Sequence, residues 1–219
     1  MERKYELLKD DTIIVYGHTL YRIKALQDFS DVKKGDLGGY IESEENLSHY
    51  ECCWVYDDAV VYGNAHVYYN AKVCDDAWVH GNTTVSGNAK VCGNAKVCGN
   101  AILYGNAWVH DNATVSGNAT VSGNAKVCGN IEVYGYARVS GNAYIHSAND
   151  YVCIRHIGSR DDYYTTFYLT RDKNIMVNCG CFNNTLEEFV KAVNDTYKDN
   201  EKYKKQYLGI IEYVKSMLN

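Results

Sequence analysis

Val115-Ser-Gly-Asn-Ala-Thr-Val121-Ser-Gly-Asn-Ala-Lys-Val127 decides the fold, because it repeats Val-x-Gly-Asn-Ala-x with a period of six. Outward from it the same period runs back through Val109, Leu103, Val97, Val91, Val85, Val79, Val73, Val67 and Val61 to Val55, and on through Val133 and Val139 to Ile145. The fifth place is small (Ala59, Ala65, Ala71, Ala89, Ala95), with Thr83 and Ile131 as departures. Six fits neither the helical period nor a meander of hairpins, but it fits a short strand followed by a bend. β-Branched Val suits the strand, Gly-Asn tolerates positive φ at the bend, and Ala fills a tight inward corner. Three such strands close a triangular coil of about eighteen residues. Some five coils stacked at about 4.8 Å give a prism about 25 Å tall. Asn at the fourth place (Asn64, Asn70, Asn82, Asn88, Asn94, Asn100, Asn106, Asn112) is placed to stack into ladders between coils.

These repeats resemble the hexapeptide-repeat left-handed β-helix superfamily, and the resemblance implies a left-handed coil and a homotrimer. Thr19-Leu-Tyr-Arg-Ile-Lys-Ala-Leu, Gly35-Asp-Leu-Gly-Gly-Tyr-Ile-Glu and Cys53-Trp-Val-Tyr-Asp-Asp-Ala are similar to YdcK-type proteins of bacteria and their phages. The fold class expected is mainly β: a left-handed parallel β-helix over 52–147, an N-terminal β cap over 1–51 and a small C-terminal α+β domain over 148–219. The caps are needed because terminal coils would otherwise expose strand edges and an apolar core.

In the cap, Thr12–Tyr16 and Leu20–Leu26 read as a hairpin around Gly17-His18. After Ser147 three alternating stretches, Tyr151–Ile157, Thr165–Thr170 and Asn174–Phe182, read as strands. Thr185-Leu-Glu-Glu188 is a capping box opening a helix with Leu186, Phe189, Val190 and Val193 on one face, and a second helix spans about Glu201 to Leu218.

With a formal charge of −5 the chain has no reservoir of cations for a phosphate backbone, so nucleic acid is not an expected partner. No apolar run approaches the roughly 20 residues that span a bilayer, and the N-terminus lacks a signal peptide's apolar stretch. Nine cysteines, an odd number, then read as reduced thiols in a cytoplasmic protein, with no membrane partner.

Three chemistries compete. Many members of the superfamily are CoA-dependent acyltransferases with a histidine general base, which makes His80 and His110 the candidates. Such enzymes usually interrupt their coils with a loop, and this repeat is uninterrupted. A column of Cys74, Cys92, His110, Cys128 and His146 suggests metal, but a straight column presents ligands in a line, which cannot wrap an ion. No metal or cofactor is therefore expected. Cys179-Gly-Cys181 has the wrong spacing for a redox or zinc motif and reads as a strand-end pair packed on the helices. The third is anion binding around Arg155, His156, Ser159, Arg160, Tyr163, Thr165 and Thr166, where guanidinium groups, hydroxyls, a Gly-Ser turn and aromatic faces suit a nucleotide. Outward aromatics such as Trp54, Trp78, Trp108, Tyr62, Tyr104 and Tyr134 favour a buried subunit face.

The expectation is thus a non-enzymatic homotrimer binding a small nucleotide-like ligand. The family resemblance narrows this to a sponge that sequesters an immune signal. An acyltransferase and a structural or protein-binding spacer stay open.

Overall fold

The computed structural model describes residues 3–158 and 164–218, and in it the chain is mainly β. Three strands come first: β1 (Tyr5–Val15), β2 (His18–Ala25) and β3 (Leu37–Ile41). Sixteen two-residue strands, β4–β19, follow from Trp54–Val55 to Tyr144–Ile145. The last segment has β20 (Tyr151–Arg155), β21 (Tyr164–Leu169), β22 (Ile175–Cys179), β23 (Phe182–Thr185), α1 (Leu186–Thr196) and α2 (Glu201–Leu218).

Each two-residue strand pairs in parallel with the strand three hexads on, Lys90 with Trp108 and Val91 with Val109, for example. Three flat faces result. The first starts at Val60–Val61 and ends at Glu132–Val133; the second runs from Trp54–Val55 to Tyr144–Ile145; the third runs from His66–Val67 to Arg138–Val139. The repeated Val and Ala side chains point inward and are buried along the whole prism. At about 1.5–3 kcal/mol for each fully buried Val, Leu or Ile, and less for each Ala, this column contributes a large favourable term to stability.

Two features hold the coils at one spacing. Asn64 Nδ2 donates to Asn82 Oδ1, and the chain of amides continues through Asn100 to Asn118; a second ladder climbs from Asn70 to Asn142. At the bends the backbones nearly touch: at Gly99, φ is +73° and a Cβ would lie 2.9 Å from the nitrogen and oxygen of Gly117. Any side chain there would both strain the backbone and push the coils apart.

The N-terminal hairpin turns at Tyr16-Gly17, both with positive φ, and His18 already belongs to β2. Continuing through β3, which pairs in parallel with Val60–Val61, it extends the first face into an eight-stranded sheet. Trp54 lies fully buried against Tyr5 and Phe29, and Tyr62 is nearly so. These two aromatics are covered by the chain's own cap, which corrects the expectation that they form a subunit face. Tyr104, Trp108 and Tyr134 remain exposed.

At the other end β20–β23 form an antiparallel sheet lying on the last coils, with α1 and α2 behind it around a second core of Phe167, Val177, Phe189 and Ile211. Thr185 caps α1 by accepting from the Glu188 N–H at 3.3 Å. The stretch Asn174–Phe182 is not one strand: Gly180, at φ +61°, folds it into the hairpin β22–β23. Cys179 therefore packs against the second core, whereas Cys181 is exposed at the turn and does not pack as its pair.

Candidate ligand-binding site

The C-terminal sheet does not seal onto the prism along its whole width. Tyr136 occupies the fourth hexad place, where Asn is the rule, at the corner between the first and third faces. Its ring continues no amide ladder. Instead it stacks on Tyr164 of β21, with centroids 4.5 Å apart and planes 19° from parallel. The pair is a wall shared by two recesses. One, a cavity of about 510 Å³, lies between Glu132, Tyr134, Tyr136, Tyr151, Cys153 and Tyr164. The other, about 480 Å³, is bordered by Asn118, Thr120, Tyr136, Arg138 and Tyr164.

Both recesses have charge and ring faces at hand. The Arg155 guanidinium lies 5.6 Å from the Tyr164 ring centroid, within the range in which a cation is attracted to a ring face. Arg138 is exposed on the third face. Its backbone N–H donates to Thr166 Oγ1 at 3.0 Å, so the prism and the C-terminal sheet are pinned together where the recesses meet. Tyr151 donates its hydroxyl to Glu132 O at 2.7 Å, and burial pushes that hydroxyl's pKa up to about 12. Across this junction Tyr151 is thus a donor at every neutral pH.

Of the residues expected from sequence, Arg155 stands beside this wall and His156 is exposed next to it, in left-handed backbone at φ +61°. Thr165 and Thr166 are buried and their hydroxyls are engaged, the first donating to Cys179 Sγ at 3.1 Å and the second accepting from Arg138. They are taken up in the sheet and do not face a ligand. Ser159, Arg160 and Tyr163 lie outside the described residues. The residues the sequence reading missed are Tyr136 and Arg138; the signal for the first was the aromatic at an Asn place.

The alternative bases are differently placed. His80 stacks on Tyr62 at 4.9 Å, and burial, then the nearby Lys96 and His18, hold its pKa below the ordinary value. His110 Nδ1 lies 2.9 Å from Asp111 Oδ1, the orientation of a general-base dyad, but its Nε2 is shut away from solvent and has no partner. A base must reach the proton it removes, and this nitrogen has no open side.

The fold and the groove define a class, a parallel β-solenoid capped at both ends with an aromatic cleft under its C-terminal lid. Residues 113–129 match the family model described as the YdcK beta solenoid repeat. The match and the solenoid around it fit a YdcK-type β-helix repeat protein. No curated protein matches the chain.

Proposed function

We propose that this chain is a non-enzymatic binding protein that holds a small, anionic, ring-bearing molecule of the nucleotide class against the Tyr136–Tyr164 wall. The observation that carries the reading is that stacked pair, open on both sides, with Arg155 against one of its rings. A ring system has two tyrosine faces to stack on, and phosphates have guanidinium groups within reach. The inaccessible Nε2 of His110 weighs against the acyltransferase alternative.

A homotrimer built through the exposed aromatics would present three such clefts. Rigid clefts on a solenoid lose little ordering entropy on binding, which suits sequestration of a signalling nucleotide. Work in the cytoplasm fits nine unpaired thiols, and no helix among the described residues is long and apolar enough to cross a membrane.

The test is native mass spectrometry and calorimetry with ADP-ribose, a cyclic dinucleotide and coenzyme A. Retention of one nucleotide unchanged, weakened about 5- to 150-fold by Tyr136→Ala on a stacking energy of about 1–3 kcal/mol, supports the reading. Binding unaffected by Tyr136→Ala and Tyr164→Ala, or turnover of an acyl-CoA, overturns it.

A further inference from the structure

The second face of the solenoid carries a column that the binding reading does not use. It runs Cys74, Cys92, His110, Cys128 and His146, one residue per coil, immediately before each bend. A straight column cannot enclose an ion, but two of the bends add a group beside it. Asp75 and Asp111 stand where the repeat has glycine, with φ of +59° and +60°. One ligand atom each from Cys74, Asp75 and Cys92 lie within 4.8 Å of one another, and so do those from His110, Asp111 and Cys128.

We infer that these two clusters are sites for a borderline-soft divalent cation of the zinc class, each bridging two adjacent coils. Tetrahedral zinc with bonds of about 2.0–2.3 Å sets its ligand atoms about 3.2–3.8 Å apart, so small side-chain rotations close either cluster around an ion. The donor sets, two sulfurs with a carboxylate and imidazole with carboxylate and sulfur, are those zinc accepts. A fourth position is left for water or an exchangeable ligand.

The surroundings are arranged alike at both clusters. Asp75 Oδ2 accepts from Gly93 N at 2.8 Å, and Asp111 Oδ2 from Gly129 N at 3.0 Å, which fixes each carboxylate beside the column; Asp111 Oδ1 lies 2.9 Å from His110 Nδ1. Trp108 Nε1 donates to Cys92 Sγ at 3.0 Å.

Asp57 supplies an internal control. It too has positive φ, and its Oδ2 accepts from Asp75 N at 3.1 Å, but its neighbour in the column is Tyr56. Capping the next coil's amide is therefore a task an Asp can perform here without any ligand set. What distinguishes Asp75 and Asp111 is the pair of soft donors beside each.

The experiment is equilibrium dialysis of the full chain, kept reduced, against zinc chloride, followed by metal analysis. Cobalt(II) titration gives a second readout through sulfur-to-metal absorption and quenching of Trp108. Two ions per chain are expected. Cys92→Ala and Cys128→Ala each bring this to one, the double variant to none, and Asp57→Asn leaves two. Zinc should also raise the thermal midpoint of the wild type, since it binds the folded coils alone. No zinc on the wild type, or two ions retained by the folded double variant, overturns the inference. Should Cys92→Ala fail to fold, Cys74→Ala, at a more exposed position of the same cluster, decides the same question.

Discussion

The two ends of the solenoid solve one problem with different side chains. At the N-terminal end a short 3₁₀ turn, Glu44–Asn46, follows Ser43; at the C-terminal end another, Ala148–Asp150, follows Ser147. Asn46 Oδ1 accepts from the N–H groups of Glu42 and Ser43, and Asp150 Oδ2 accepts from those of His146 and Ser147. There the likeness ends. Asn46 also faces the bare carbonyls of Gly63 and Ala65 and donates to both through Nδ2, at 2.9 Å each. The coil-to-coil bonds run from each N–H to the following coil's carbonyl, so the last coil is left with N–H groups, and Asp150 also takes the His146 imidazole at 2.6 Å. An amide can both give and accept; a carboxylate only accepts. The terminal residue is thus chosen by which backbone groups its end leaves open.

The largest test of this comparison is to exchange the two residues. Asn46→Asp sets a fully buried carboxylate against two carbonyls, and we expect a loss of about 3–5 kcal/mol in chemical denaturation, the cost of an uncompensated buried charge. Asp150→Asn keeps an oxygen for both N–H groups and should cost under about 1.5 kcal/mol, the scale of one net hydrogen bond. Similar losses from both would break the comparison. Next in size is Thr166→Val, which strips the acceptor from Arg138 N–H at the lid. A drop of about 1–3 kcal/mol is expected, with early hydrogen exchange in β20–β23 as its local signature.

Acid sharpens the contrast further. Burial alone would raise the Asp150 pKa, but the two N–H groups and the His146 imidazole outweigh it and hold it below the usual value. Its contribution is therefore complete above about pH 4, the unfolded value, and fades as pH falls from there through the folded value. Asn46 does not titrate. Exchange measured across this range should show the C-terminal end loosening first, and Asp150→Asn should flatten that response. The smallest effect is expected from Lys72→Met, which removes the ion pair of 2.8 Å with exposed Asp31 at the cap's edge. Under about 1 kcal/mol is anticipated, and still less in high salt.

The contrast between regions extends to what could be read from the chain before folding. The prism was legible because its period is strict: Val, Gly, Asn and Ala each occupy one place whose physical demand is constant from coil to coil. The two helices were legible for similar reasons, their apolar spacing and the Thr185 cap. The cleft was not, because Tyr136 and Tyr164 are 28 positions apart in sequence and meet only when the lid lies down. Tyr136 was visible solely as a break in the Asn pattern. The acids beside the cysteine column were missed for another reason. Reading every eighteenth residue shows what stacks and hides what stands beside it, as Asp75 and Asp111 do. The turn at Gly180-Cys181 was hidden by the alternating residues on either side, which continue through it without a change of period.

The amide ladders join residues eighteen apart, Asn64 to Asn82 and Asn82 to Asn100. This gives the chain a phase as well as a length. A single added hexad would advance everything after it by one-third of a revolution, setting the cleft over a different side of the N-terminal cap and pairing unlike columns. Three added hexads would return every column to its own kind and merely lift the lid by one storey. Growth or shrinkage by duplication is therefore quantised in threes, and the angle between the two ends records the remainder.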